Sequence, residues 1–172
     1  MAVAAGCAVA TLTADPSWAG QRPDPRPALQ LAPPSPAAAP SYSHLEVVRI
    51  DPDPAPPGGT TTVHGFVANQ GPDTTASPIT VLITLPPGVT PIGPYFPENC
   101  VVLEPGRQVR CVFGPGLPEG RSATALVPVK LSPDVPVGRL RGGSVEVRSA
   151  DDPGVRNHRQ PYEIKVVETA AG

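Results

Sequence analysis

The chain has 172 residues, 17 of them Gly and 27 Pro, with 4% aromatic residues and a formal net charge of −2. A balance this close to neutral gives no electrostatic pull toward nucleic acid or an anionic membrane, and no apolar run approaches the roughly 20 residues of a membrane helix. An interior Pro costs a helix about 3 kcal/mol, so the Pro content excludes a mostly helical protein, while 40% hydrophobic residues exclude wholesale disorder.

Residues 1–41 carry no recurring pattern. Met1 to Ala14 is uncharged and apolar, and Ser17 and Ala19 stand at −3 and −1 of a signal-type cleavage after Ala19. Residues 1–19 therefore read as a signal peptide, although the basic stretch that usually opens one is missing. Either the true start lies upstream or the segment is a plain Ala-rich N-terminus. Ala4-Ala5-Gly6-Cys7 is similar to a lipoprotein lipobox, which makes lipid anchoring at Cys7 the alternative. Residues 20–41, with the tract QRPDPRPALQLAPPSPAAAPS, read as a disordered, Pro-rich leader or spacer. Arg outnumbers Lys by 11 to 2, a composition of GC-rich coding without functional content.

From residue 42 the pattern changes to strands, because apolar residues recur at period two. Leu45, Val47 and Val48 form a first strand, ended by Asp51-Pro52-Asp53-Pro54. Thr61, Val63, Gly65 and Val67 share one face of a second. Ile79, Val81, Ile83 and Leu85 alternate with Thr80, Leu82 and Thr84 in a third. Val101–Leu103 and Gln108–Phe113 form a hairpin, and Ala123, Ala125, Val127 and Val129 a further strand. Leu140, Val145 and Val147 follow, and Tyr162, Ile164 and Val166 close the series. About seven or eight short strands without a helix predict an all-β, antiparallel sandwich in residues 42–172. Pro128 inside a strand marks an edge or a bulge there. Gly65 marks a kink or the close approach of another backbone, and Asn69 and Gly71 are placed to turn the chain at positive φ.

Two cysteines have a geometric reading. Folding the segment about Pro105-Gly106 pairs Leu103 with Gln108 and Val102 with Val109, which puts Cys100 opposite Cys111. Cross-strand Cα separations suit a disulfide. A two-residue Pro-Gly turn twists the wrong way for a hairpin, so a four-residue loop, Glu104 to Arg107, is expected. His44, His64 and His158 lack zinc-site spacing, and no CxxC occurs. A structural disulfide implies an oxidising compartment.

Little else carries chemistry. No nucleophile elbow, phosphate loop or HExxH helix is present, and Arg141-Gly142-Gly143-Ser144 lacks the context of a phosphate cradle. Asp51 with Asp53, or Asp151 and Asp152 with Asn157, would offer oxygens to Ca²⁺, although acids clustered in turns are usually only solvated. Once Trp18 leaves with the signal, Tyr95 and Phe96 are the aromatic pair available to stack on a sugar; the competing reading makes them caps on the end of the sandwich.

Several segments recur in a known order: Pro57-Gly58-Gly59 with the strand into Asn69-Gln70-Gly71-Pro72, then Leu85-Pro86-Pro87-Gly88-Val89, then the Cys100–Cys111 hairpin. Leu117-Pro118-Glu119-Gly120-Arg121-Ser122 follows, and then Val145-Glu146-Val147 with Asp151-Asp152-Pro153-Gly154. In this order they resemble the conserved-repeat, Ig-like domain of unknown function found in bacterial and archaeal secreted and cell-surface proteins. The resemblance covers residues 44–168. Departures are Asn157-His158, where the family has Asn-Asn, and Gly65 at a usually aliphatic position.

The resemblance implies an Ig-like sandwich, exported or displayed on the surface and used as spacer, stalk or adhesive module, with no enzymatic chemistry and no cofactor. Its expected partner is an extracellular protein or a cell-wall component. The alternative is a carbohydrate-binding module that recognises extracellular polysaccharide. No sorting motif follows Gly172, so anchoring is expected only through Cys7 or a partner.

Overall fold

The computed structural model describes residues 40–154 and 156–168. The signal cleavage after Ala19, the lipidation at Cys7 and the Pro-rich tract to residue 39 lie outside the described residues. Among the described residues there is no helix, and so none long and apolar enough to cross a membrane.

Nine strands follow one another: β1 (Ser43–Val48), β2 (Thr60–Pro72), β3 (Ile79–Thr84), β4 (Val89–Pro91), β5 (Val101–Leu103), β6 (Gln108–Phe113), β7 (Ser122–Leu131), β8 (Gly138–Arg148) and β9 (Arg159–Val166). They form a four-stranded sheet of order β1-β2-β7-β4 and a five-stranded sheet of order β5-β6-β3-β8-β9. Neighbouring strands run antiparallel throughout. The result is the all-β, Ig-like sandwich expected, with nine strands among the described residues where the sequence predicts about seven or eight. The strand that the alternation did not reveal is β4, too short at three residues to show a period.

The core lies between the sheets. Val63 and Val67 of β2 and Ala125, Val127 and Val129 of β7 face Ile79, Val81 and Ile83 of β3 and Val145 and Val147 of β8. These are the period-two positions of each strand, since successive side chains leave a strand on opposite faces. Tyr162 of β9 is buried with its ring over Gly143, its cross-strand partner, and its hydroxyl donates to the Thr84 carbonyl oxygen at 3.1 Å. A Cβ on Gly143 would lie 2.5 Å from that ring. The Gly pair in β8 thus makes room for Tyr162.

Three sequence expectations change in detail. Gly65 faces side chains, not another backbone: an added Cβ would stand 2.9 Å from Val81 Cγ1 and 3.0 Å from Ile83 Cδ1. Gly65→Ala is therefore expected to destabilise the fold by about 1–2 kcal/mol, because the core must shift to admit one methyl. A urea titration with an unchanged midpoint would refute that. Pro128 belongs to β7, an interior strand of the sheet order. It is tolerated because its carbonyl, and hence its missing N–H, faces the β4 side, where strand pairing stops at Pro91 and Ile92 donates to Pro128 at 3.0 Å. Asn69 is not at positive φ; of that pair only Gly71 is, at 87°. Asn69 is fully buried, and its side-chain amide donates to the carbonyl oxygens of Asp73 and Leu117 while its Oδ1 accepts from Gly71 N–H.

Both sheets are sealed on one side. The outward N–H groups of β1, at Ser43, Leu45 and Val47, donate to Asp151 O, Asp152 Oδ2 and Asn157 O. On β9, Glu163 N–H donates to Asp51 Oδ1, and Ala55 pairs with Lys165 and Val167. Edges that are covered in this way cannot add a further strand.

Candidate functional site

The two outer faces of the sandwich differ in chemistry. β2 and β7 pair from Thr60–Ala68 to Ser122–Lys130, and the residues between those facing the core point outward. On the four-stranded sheet these include Phe66 of β2 and Leu126 and Pro128 of β7, flanked by Thr62, His64 and Thr124. Val48 of β1 pairs beside Phe66. The stretch after β4 adds Ile92, bonded to Pro128, and Phe96, which exchanges two backbone hydrogen bonds with Leu126 at 3.0 and 2.8 Å. Val48 is 38% exposed, Ile92 45% and Phe96 56%. Thr60, Thr62, His64, Ile92, Leu126 and Pro128 line a shallow groove of about 480 Å³ on this face, with Asp53 at its rim.

The outer face of the five-stranded sheet carries charge across its central strands, while its edge strand β5 exposes Val101 and Val102. Arg159 pairs with Glu146, Glu146 with Leu82 and Leu82 with Arg110 across four strands. Arg148 Nε donates to Glu146 at 2.6 Å, and Arg139 and Arg141 hold Glu163 at 3.0 and 2.9 Å. The Arg139 hydrogen bond in particular holds the Glu163 carboxyl below its ordinary pKa. Exposed ion pairs of this kind suit water. The outer face of the four-stranded sheet instead exposes Val48, Ile92 and Phe96 among Thr and His side chains, and exposed apolar groups that lie together suit a partner.

The expected site residues divide. Cys100 and Cys111 are bonded, with Cα atoms 4.0 Å apart, across the register and the four-residue loop that the sequence predicts. Tyr95 and Phe96 do not form one platform: Tyr95 is half-buried against the core, and Phe96 points to solvent on the groove face. The outward apolar set Phe66, Ile92, Leu126 and Pro128 was not read as a surface. Its signal is present, since Ala125-Leu126-Val127-Pro128-Val129 is a continuous apolar run where a half-solvated strand would alternate.

Of the acids considered for Ca²⁺, Asp51, Asp151 and Asp152 are engaged with other partners, and Asp53 is exposed. Asp151 is 2% exposed and accepts from the N–H groups of Ser41, Ala76 and Ser77 and from the Ser77 hydroxyl, at 2.7–2.9 Å. Burial pushes its carboxyl up, but these donors outweigh burial and leave its pKa below the ordinary value. Asp152 is buried beside it and accepts from Leu45 N–H at 2.6 Å, Gly154 N–H at 3.0 Å and His158 Nε2 at 2.9 Å. Burial again opposes and the donors, His158 foremost, prevail. Asn157 contributes its carbonyl to Val47 N–H, and Asp51 binds Arg49. Carboxylates that accept from N–H donors of distant segments hold the chain together. Among the described residues no group of three or more His, Cys, Asp or Glu side chains is arranged to hold a metal ion.

No family model and no curated protein matches the chain. Solved structures do. A type I cohesin, the seventh of ScaB from Pseudobacteroides cellulosolvens, superposes with a TM-score of 0.51 at 14% identity, over 74% of this chain and 94% of the cohesin. The major pilin subunit BcpA of Bacillus cereus gives a TM-score of 0.49 at 10% identity, over 74% of this chain and 40% of the pilin. At these identities the cohesin likeness speaks for the fold alone: the chain is an Ig-like β-sandwich of the kind that a cohesin domain also adopts.

Proposed function

We propose that this chain is an exported, non-enzymatic structural and protein-interaction module, a member of the conserved-repeat Ig-like family that it resembles. It works by presenting the outer face of its four-stranded sheet to a protein partner. The observation that supports this reading is the difference between the two outer faces, one crossed by exposed Arg–Glu pairs, the other exposing Val48, Ile92 and Phe96. Buried Asp151, Asp152 and His158 hold segments of the scaffold together, which supports a structural part for them. The Cys100–Cys111 bond supports an oxidising, extracellular setting, and N-terminal sequencing of the protein from culture medium distinguishes cleavage after Ala19 from lipidation at Cys7.

A photoreactive phenylalanine analogue at position 96, compared with one at Leu82 on the charged face, tests the docking face in the native host. The expected result is a protein adduct from position 96 and none from position 82. Equal labelling, or none, overturns the reading. A glycan adduct at 96 decides for the carbohydrate-binding alternative.

A further inference from the structure

We infer that the outer face of the five-stranded sheet binds an acidic polysaccharide through a strip of exposed cations. The outward side chains of β6, β8 and β9 include Arg110, Arg139, Arg141, Arg148, Arg159 and Lys165, all exposed, against two carboxylates, Glu146 and Glu163. The chain as a whole carries 13 Lys and Arg against 15 Asp and Glu, so the surplus on this face is local and opposite in sign to the net charge. The cations also stand foremost: the side chains of Arg139, Arg141 and Arg148 are at least 68% exposed, whereas the carboxylates they hold are at most 24% exposed. Glu163 is shared by Arg139 and Arg141, and Glu146 is held by Arg148. Among the described residues this leaves Arg110, Arg159 and Lys165 outside any ion pair. At the Lys165 end, Asp51 and Glu168 reduce the surplus, although Asp51 is already bonded to Arg49. The end formed by Arg110, Arg148 and Arg159 is therefore the stronger half.

The register shows a cost that such a ligand offsets. Arg139 stands directly opposite Lys165, and like charges directly opposite one another destabilise a sheet. The shape of the strip selects the class of anion. From Arg159 to Lys165 it runs roughly 20 Å along β9 on an open sheet, which suits a chain of repeated acidic groups more than one small ion. Guanidinium groups donate paired N–H groups to carboxylate or sulfate oxygens. Nucleic acid fits less well. Among the described residues no aromatic side chain lies on this face to stack on a base, and the flat sheet presents neither a helix nor a two-stranded ribbon to a duplex groove. The inference is independent of the docking face on the other sheet. Leu82 lies within this strip, so the photoreactive group there should still give no protein adduct.

Biolayer interferometry of the oxidised 172-residue protein on immobilised polygalacturonate, dextran sulfate and neutral dextran tests the inference. Binding to at least one of the two acidic polymers and none to neutral dextran is expected, weakening about tenfold or more between 20 and 150 mM NaCl. The acidic polymer retained at the higher salt identifies the preferred acidic group. Arg110→Glu with Arg159→Glu should weaken binding by about tenfold or more. Arg121→Glu with Lys130→Glu makes the same change in net charge away from the strip and should leave binding within about twofold, as should Phe96→Asp. Circular dichroism melts of these variants, all of exposed side chains, verify that the fold persists. No binding at 20 mM NaCl, or equal losses from the two double variants, overturns the inference. Tighter binding to duplex or single-stranded DNA than to either acidic polymer overturns the choice of ligand.

Discussion

Asp151→Ala is expected to lower the unfolding free energy by about 3–5 kcal/mol, the largest loss from any single substitution considered for this chain. The carboxylate gathers the N–H groups of Ser41, Ala76 and Ser77 and the Ser77 hydroxyl at one buried point. Removing it leaves these part-buried donors without the acceptor that gathers them. Three segments are released together: the entry to β1, the 73–77 loop and the 149–158 loop that covers β1. Asp151→Asn should lose about half as much, because the amide oxygen can still accept from Ala76 and Ser77 while its NH₂ opposes the Ser41 N–H. Urea denaturation of the three proteins measures the difference, and an Asp151→Ala midpoint within error of wild type would refute the assignment.

The same carboxylate sets the acid response. Its folded pKa lies below the unfolded value, so its contribution is complete above the ordinary carboxylate range and is lost as pH falls through the folded pKa. Asp152 acts in the same direction. Wild type should therefore lose stability progressively from about pH 4 downward, and Asp151→Asn should show a shallower acid limb over the same range. Parallel slopes would show that Asp151 binds its proton alike in both states.

Replacing Cys100 and Cys111 together with alanine is expected to cost about 3 kcal/mol, the value that chain entropy gives for a cross-link closing a loop of this size. The loss is not spread evenly. β5 is a three-residue edge strand that pairs only with β6, so the sulfur bridge is its chief restraint. Amide exchange at Val101–Leu103 should rise before that of β3 or β7. Thermal melts with and without reductant give the total, and exchange gives its location. Uniform exchange across the five-stranded sheet would show that the bridge supports the whole sandwich and not β5.

These two predictions rest on features that differ in how visible they were beforehand. The disulfide joins residues 11 apart across one hairpin, and counting outward from Pro105-Gly106 gives its register. Asp151 reaches Ser41 across 110 residues and Ser77 across 74. Nothing local distinguishes it from Asp53, which is exposed at a groove rim. The same holds for Asn69: its type suggested a turn, whereas its buried amide ties together loops that are 48 residues apart. Gly65 stands out in its strand by sequence, but its reason, the methyls of Val81 and Ile83, arrives from the other sheet.

From its sequence alone, then, the chain determined an all-β sandwich, the position of most strands, the inward face of the clearly alternating ones such as β2, β3 and β7, and the Cys100–Cys111 pairing. All four are consequences of short-range periodicity, turn chemistry and hairpin counting. The tertiary structure alone decided which strands lie side by side, how the edges of β1 and β9 are covered, and that Phe66, Leu126, Pro128, Ile92 and Phe96 meet on one surface. Those outcomes depend on pairing between strands far apart in the chain, where many registers satisfy the same alternation and only simultaneous packing of both sheets selects among them.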